Sequence, residues 1–300
     1  MYHMTKYCIV KKSKTDALQE VPLNIIKKTL KQWFKTIYKL MFAHRCFAPF
    51  NHFVFECALG GIGVLNSEKS GEDHFISKRL HHFIRDPSSP IFFDVGANIG
   101  DYSARLLTHF PDANIVAFEP NPEVFKTLLL DWKSPTPPFN IGLSDTAGTL
   151  SLHIPTNRSL SEFASVYRDI NSDVHNEVSS AIQIPMNTLD NIAFKLGIHH
   201  IDLLKIDVEG HELAVLLGGK QLLSENKISV IQLEFNEMNV MSHVFFRDIK
   251  KALPGFRFFR LLPTSTIEIP PSIVHSEIFG FQNIVCIHCS LFGPADKFLA

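Results

Sequence analysis

The stretch Ile91 to Asn121, IFFDVGANIGDYSARLLTHFPDANIVAFEPN, constrains this chain more than any other. Ile91-Phe92-Phe93 is an apolar run of strand length and β-forming composition. It ends in Asp94-Val95-Gly96-Ala97-Asn98-Ile99-Gly100, a glycine-spaced turn. Tyr102, Leu106 and Phe110 then recur at helical spacing, with Asp101 or Ser103 placed to cap the helix. Asn114 to Phe118 reads as a second strand that stops at Glu119-Pro120. Glycines at such a turn let the backbone approach a ligand closely, and a helix start offers free N–H groups. Glu119 lies nineteen residues after Gly100, close to the roughly 20 at which an acid after the second strand takes ribose hydroxyls. The pattern predicts a unit that binds an adenosine-containing cofactor.

Two cofactors compete for that unit. A dinucleotide fold wants G-x-G-x-x-G, so that a helix N-terminus meets a pyrophosphate. Here the spacing is Gly96-x-x-x-Gly100, and Asp94 stands two residues before the first glycine. A carboxylate aimed at a pyrophosphate is repulsive, whereas it suits a ligand carrying an ammonium and a sulfonium. S-adenosylmethionine is that ligand and is favoured over NAD. A glycine turn with no ligand is the bland alternative.

Further along, strands and helices alternate. Glu123 to Trp132 is a helix ended by Pro135, Pro137 and Pro138, and Phe139 to Leu143 is a third short strand. Thr149 to Ile154 is a hairpin arm and Ala181 to Met186 a further strand, separated by a long polar stretch, Pro155 to Ser180, placed to cover an acceptor. Leu189 to Leu196 is a short helix. The strand Ile201 to Ile206 ends at Asp207-Val208-Glu209-Gly210-His211-Glu212, and Ile228 to Phe235 ends at Glu234-Phe235-Asn236. Phe245 to Leu253 is helical, and Phe256 to Leu262 and Asn283 to Leu291 are strands around a long hairpin connection. This alternation predicts an α/β fold: a mostly parallel sheet with helices on both faces, ligands binding at the strands' carboxyl ends.

Two regions flank that core. Residues 1–69 form an N-terminal extension and 70–300 the main domain. Leu23, Ile26, Leu30, Trp33, Ile37 and Leu40 make an apolar helical stripe over 22–42, with Lys27, Lys31 and Lys35 on another face. Such a basic amphipathic helix can rest on an anionic membrane surface or pack on the domain. Cys46 to Leu65 is interrupted by Pro49, His52, Glu56 and Gly60-Gly61 and is no transmembrane span. Ser70-Gly71-Glu72 reads as a surface turn or part of a lid, and Glu72 to Ile84 as a helix.

Composition excludes some classes. A net charge of −1 offers no global field for nucleic acid. The five cysteines are odd in number and irregular in spacing, which argues against a disulfide framework and for a reducing, cytoplasmic setting. The polar, basic start is unlike a signal peptide. Cys286-Ile287-His288-Cys289 has redox or half-zinc spacing, but it falls in a strand and no second pair exists, so buried structural cysteines are expected.

With these segments in hand, the chain resembles the FkbM family of S-adenosylmethionine-dependent methyltransferases. The matching stretches are FDVGANIGDYS from Phe93, AFEPN from Ala117, Gly142-Leu143-Ser144-Asp145 with Gly148, Thr188-Leu189-Asp190, and IDLLKIDVEGHE from Ile201. The resemblance implies a Rossmann-like class I methyltransferase fold, with a seven-stranded sheet whose last strand is antiparallel. It also implies methylation of a hydroxyl oxygen, often on a sugar, glycoconjugate or natural product. Gly96 and Gly100 would then let the loop pass under the methionine part of the cofactor. Asp94 and Asn98 would bond its polar tail, Glu119 beside Pro120 its ribose hydroxyls, and Ser144 and Asp145 its adenine edge.

A hydroxyl is a poor nucleophile, so a base or a metal is expected near it. Asp207, Glu209 and His211 are the catalytic candidates, although Glu209 and His211 equally suit a helix start. Asp207, Glu234 and Asn236, at the ends of neighbouring strands, could hold Mg²⁺. The competing functions are a cofactor-binding partner module without activity and, third, a nicotinamide dehydrogenase.

Overall fold

A computed structural model of the chain describes residues 7–10, 19–59, 70–155, 164–167 and 179–293. The chain divides into two compact units, Met1–Gly60 and Gly61–Ala300. In the first, strands β1 (Tyr7–Val10) and β2 (Gln19–Pro22) pair antiparallel, and helices Leu23–Phe42 and Ala48–Leu59 follow. The Tyr38 hydroxyl donates to Asn51 Oδ1, and Asn51 Nδ2 donates to the Phe42 carbonyl at 2.9 Å, which joins the two helices. Trp33, Phe34 and Leu40 are exposed, and so are Lys27, Lys31 and Lys35. No helix among the described residues is long and apolar enough to cross a membrane.

The second unit holds β3 (Ile91–Val95), β4 (Asn114–Phe118), β5 (Gly142–Leu143), β6 (Gly148–Pro155), β7 (Ser179–Asn187), β8 (Ile201–Ile206), β9 (Ile228–Phe235), β10 (Phe256–Leu262), β11 (Ser265–Glu268) and β12 (Gln282–His288). Seven of these form one sheet in the order β11-β10-β12-β9-β8-β3-β4. The run β4-β3-β8-β9 is parallel, β12 is antiparallel to β9, and β10 and β11 continue antiparallel. The sheet is Rossmann-like, mostly parallel, with the antiparallel last strand that the family resemblance implies.

Alternation along the strands divides the core between two faces. Phe92, Leu203 and Val230 pack with Phe75, Ile76, Leu80, Tyr102 and Leu106 from the segment before β3 and the helix after it. Phe93, Leu204 and Ile231 pack on the other face with Leu189, Val215, Leu216 and Phe246. Both faces are therefore covered, as a parallel sheet requires.

Four local features differ from the sequence reading. The third strand is split: Phe139 makes a single parallel bridge to Phe118, and only Gly142–Leu143 continues, pairing with β7 in a separate sheet of order β5-β7-β6. Asn140 interrupts it, donating its side-chain amide to the Glu119 and Pro120 carbonyls at 2.8 and 3.2 Å. The expected connection Ile267 to Phe281 contributes an edge strand, β11, on β10. Ser70-Gly71-Glu72 is buried rather than a surface turn. Cys286 is buried in β12, where burial pushes its thiol up, but Cys289 is exposed just beyond it. Most of the Pro155 to Ser180 stretch lies outside the described residues.

Asp202, buried in β8, fastens the segment before β3. Its Oδ1 accepts from the Arg85 N–H at 2.8 Å and its Oδ2 from the Ile91 N–H at 2.9 Å. Asp202→Ala leaves two backbone donors without this partner, and is expected to lower unfolding free energy by about 2–4 kcal/mol in urea titrations.

Candidate active site

A cavity of ≈ 290 Å³ opens at the carboxyl ends of β3, β4, β8 and β9. Each strand end contributes a residue: Gly96 after β3, Glu119 after β4, Asp207 after β8, and Glu234 next to last in β9. Leu152, Ile184 and Met186 of the smaller sheet supply an apolar wall. Among the described residues, no lysine or arginine lines it.

Glu119 is the most constrained of these acids. Its Oε2 accepts from the Asn98 N–H at 3.0 Å and its Oε1 from the Asn121 N–H at 2.7 Å. Burial pushes its pKa up to about 7, with Asp94 and Asp207 adding to the rise and the two N–H bonds opposing it.

The turn after β3 spends its donors within the protein. The N–H groups of Gly96 and Ala97 donate to the Phe118 carbonyl at 3.0 and 2.9 Å, Asn98 donates to Glu119, and Gly100 donates to the Ala97 carbonyl at 2.8 Å. A phosphate at this turn would find few free donors. The glycines answer to packing instead. Gly96 has φ +84, and a Cβ there would sit 1.8 Å from the Asp207 carbonyl oxygen. Gly100 has φ +95, and its Cβ would meet Leu128 Cδ1 at 2.7 Å. Gly100, not Asp101 or Ser103, is the N-cap of helix Asp101–His109, and no side chain caps it. The Ser103 hydroxyl donates instead to Asp94 Oδ2 at 2.6 Å.

Behind the turn lies a buried polar seam. Asp94, Lys205 and Gln232 stand in register on β3, β8 and β9. Lys205 is 3% exposed, and its Nζ lies 3.4 Å from Asp207 Oδ2, 3.6 Å from Glu72 Oε1 and 3.7 Å from Glu234 Oε1. The Tyr102 ring centroid is 5.4 Å away, and its hydroxyl donates to Gln232 Oε1 at 2.7 Å while Gln232 Nε2 donates to Glu72 Oε1 at 2.7 Å. Burial alone would lower the Lys205 pKa, but Asp207, Glu72 and Glu234 outweigh it and hold the ammonium charged. Burial, and then Asp207, raise both Glu209 and Glu234, so these two acids hold protons well above the ordinary carboxylate range.

His211 hangs between two partners. Ser144 Oγ is 2.9 Å from Nε2, and the Tyr167 hydroxyl is 3.3 Å from Nδ1. Burial lowers its pKa, which keeps the ring neutral near pH 7.

Of the residues singled out in the sequence, Gly96, Asn98, Glu119, Pro120, Asp207, Glu209, His211 and Glu234 line the cavity. Asp94, Gly100, Ser144, Asp145 and Asn236 are not part of the lining. A Mg²⁺ ion on Asp207, Glu234 and Asn236 does not fit: Lys205 already supplies the positive charge between the two acids, and Asn236 Oδ1 accepts from the Met238 N–H at 2.9 Å. Among the described residues, no group of three or more His, Cys, Asp or Glu side chains is arranged to hold a metal. Lys205, Gln232 and Tyr167 have no role in the sequence reading, and Glu72 has one only as part of a turn or lid. A lysine inside IDLLKI and a glutamine inside ISVIQLEF are the signals that could have found two of them, since buried polar groups demand partners.

A parallel sheet whose strand ends converge on an acid-lined cavity, with few free donors for a phosphate, has the build of an α/β methyltransferase domain. Residues 94–258 match the methyltransferase FkbM domain, and the chain belongs to that family. It is similar to the methyltransferase sdnD of Sordaria araneosa, 33% identical over 158 residues that cover 44% of this chain and 61% of that protein. It is also similar to the 2-O-methyltransferase NoeI of Sinorhizobium fredii, 26% identical over 58% of this chain and 75% of that one. A third relative is the hexuronic acid methyltransferase AglP of Haloferax volcanii, 28% identical over 48% and 55%. Two of these three are thus matched over less than two thirds of their own length.

Asp94 makes the pH behaviour of the ligand-free fold testable. It is 1% exposed, and burial pushes its pKa up to about 6, opposed by the Ser103 hydroxyl and Lys205. A carboxyl whose folded pKa is raised stabilises below its unfolded pKa and loses that contribution as pH rises through the folded one. Between about pH 4 and pH 7 wild type is therefore expected to lose about 3 kcal/mol relative to Asp94→Asn, read from urea midpoints of the two proteins across that range.

Proposed function

We propose that this chain transfers the methyl group of S-adenosylmethionine to a hydroxyl oxygen of a small-molecule or glycan acceptor, on a sugar, glycoconjugate or natural product. The observation that carries the cofactor assignment is the acid-lined cavity beside a turn whose N–H groups are already taken. An ammonium and a sulfonium suit such walls, and a pyrophosphate does not. Glu119, pinned through both oxygens by backbone N–H groups, has lone pairs left to accept from a ribose diol. Asn98 and Asp94 stand toward the methionine end of the cofactor, Asp94 from behind the turn. The sugar-hydroxyl part of the reading leans on the names of two relatives, a 2-O-methyltransferase and a hexuronic acid methyltransferase.

S-adenosylmethionine supplies an already activated methyl group, so the chain's own work is to orient the acceptor, exclude water and take a proton. Burial and Asp207 raise Glu209 and Glu234 well above the ordinary carboxylate range. Neutral His211, on the cavity wall, can accept a proton. Asp207 is engaged by Lys205 and shapes the floor. Calorimetry with S-adenosylhomocysteine tests the cofactor assignment. Wild type is expected to bind, more tightly as pH rises through about 7 because the bound ribose selects the ionised Glu119. Glu119→Ala is expected to weaken binding by about tenfold or more. Absence of heat with wild type across that range defeats the assignment.

Helix Leu23–Phe42 supports a further part of the reading, peripheral contact with an anionic membrane. Its lysines at four-residue spacing flank exposed Trp33, Phe34 and Leu40, the combination that lies flat in a charged lipid interface. The protein is expected to co-sediment with phosphatidylserine-containing vesicles and not with neutral ones. Replacing Lys31 and Lys35 by Ala should lower the partition constant by about thirtyfold.

A further inference from the structure

Methyl transfer to a hydroxyl releases one proton: acceptor O–H and sulfonium donor become ether, thioether and H⁺. Burial raises Glu119, Glu209 and Glu234 in the cavity wall, so this proton needs a way out. The hydrogen bonds around His211 describe such a path, and their polarity can be worked out.

The Ser144 hydroxyl has a single hydrogen, and it is donated to Asp145 Oδ1 at 3.0 Å, since a carboxylate can only accept. The 2.9 Å contact between Ser144 Oγ and His211 Nε2 can then be satisfied only if Nε2 carries a hydrogen and Ser144 accepts it. The neutral ring therefore has its lone pair on Nδ1. The group facing that lone pair is the Tyr167 hydroxyl at 3.3 Å. Burial, with Glu212 and Asp145, raises the Tyr167 phenol, so it faces Nδ1 as an O–H donor. Every bond in the row points the same way, from Tyr167 through His211 and Ser144 to Asp145.

Both ends of the row are anchored. The Ser165 hydroxyl donates to the Glu209 carbonyl at 2.9 Å and accepts from the Tyr167 N–H at 3.2 Å, which fastens Tyr167 over the loop that carries His211. At the other end, the Ser144 N–H donates to the Asn187 carbonyl at 2.9 Å. His211 lines the cavity, whereas Asp145 is exposed. The row thus runs from the reaction chamber to water.

We propose that Tyr167, His211, Ser144 and Asp145 form a one-way proton exit from the cavity, with His211 resting as the Nε2–H tautomer. The acceptor hydroxyl takes the place of the Tyr167 hydroxyl at the Nδ1 lone pair, and its proton passes to Nδ1. The Nε2 hydrogen passes to Ser144 Oγ, the Ser144 hydrogen passes to Asp145 Oδ1, and Asp145 releases it to solvent. His211 is left neutral with its hydrogen on Nδ1, and ring tautomerisation through water resets it. His211 is the group that meets the acceptor, Ser144 and Asp145 carry the proton onward, and Tyr167 is a positioning residue. The proposal rests on the methyl-transfer reading and gives Ser144 and Asp145 a role other than the adenine edge.

The test reads the ring itself. Long-range ¹H–¹⁵N spectra of the full chain with ¹⁵N-labelled histidine report the tautomer of each ring, and loss of one signal set in His211→Gln assigns residue 211. Wild type is expected to show the Nε2–H form of His211 as the major species near neutral pH. Asp145→Asn, at an exposed position, can donate to Ser144 Oγ and so frees the Ser144 hydrogen for Nε2. In that variant the Nδ1–H form should become the major one. Tyr167→Phe should leave the Nε2–H form in place. An Nδ1–H ring in wild type, or a tautomer untouched by Asp145→Asn, overturns the exit. A second arm separates it from the adenine edge: Ser144→Ala and Asp145→Asn should keep S-adenosylhomocysteine affinity within about threefold, and a loss beyond about tenfold assigns these residues to the cofactor and overturns the relay. If wild type fails to bind S-adenosylhomocysteine, the methyl-transfer reading falls, and the tautomer arm still decides the polarity of the row.

Discussion

The Lys205 ammonium, buried among Glu72, Asp207 and Glu234, is the contact on which the site end of the sheet depends. Each of those acids comes from a different element: the segment before β3, the end of β8 and the end of β9. An ammonium out of water is tolerated only when partners surround it, and removing one partner of a buried pair is more destabilising than the pair is stabilising. The contact therefore specifies position more than it adds stability. It holds the Asp207 and Glu234 side chains at the cavity floor. It also draws helix Glu72–Lys78 onto the sheet through Gln232 and the Tyr102 hydroxyl. With a positive charge already resident, the acids do not assemble as a metal site.

Around that contact, charge is distributed in layers. Behind the turn, Asp94 is nearly sealed and bonded by Ser103; on the wall, Glu119 is pinned by two backbone donors. Glu209 has φ +50, an uncommon conformation for a non-glycine residue, and its carbonyl accepts from Ser165. Such strain concentrates where a fold holds a residue for use. In the ligand-free protein several of these acids retain protons because the low-dielectric pocket disfavours several charges at once. A cationic cofactor in the proposed reaction would reverse that balance, which makes cavity protonation and ligand binding two sides of one equilibrium.

The glycine turn has a different logic from the one its pattern suggests. Its N–H groups are consumed by Phe118, Glu119 and Ala97, and the missing side chains are required by Asp207 and Leu128. The turn is shaped by what packs against it from within. The ligand meets the resulting surface, not a nest of donors. That internal satisfaction is also the physical reason a phosphate-bearing cofactor is disfavoured here.

Strand ends, their order of polarity and the family were legible in the sequence, because period-2 apolar runs broken by acids and glycines are local signals. Ile201–Ile206 and Ile228–Phe235 fall where their composition places them, and Glu119 sits at the end of its strand as its spacing from Gly100 implies. What no local pattern carries is which polar side chains meet. Lys205 and Glu72 are 133 positions apart, and Ser144 and His211 are 67 apart. Their encounters depend on strand register and on the loops that close over the sheet. The amino-acid order by itself determined the parallel sheet and the acids at its edge, since those follow from hydrophobic period and turn chemistry. The tertiary structure alone decided that a lysine answers those acids and that His211 meets Ser144, because side-chain contacts exist only once the partners are within reach.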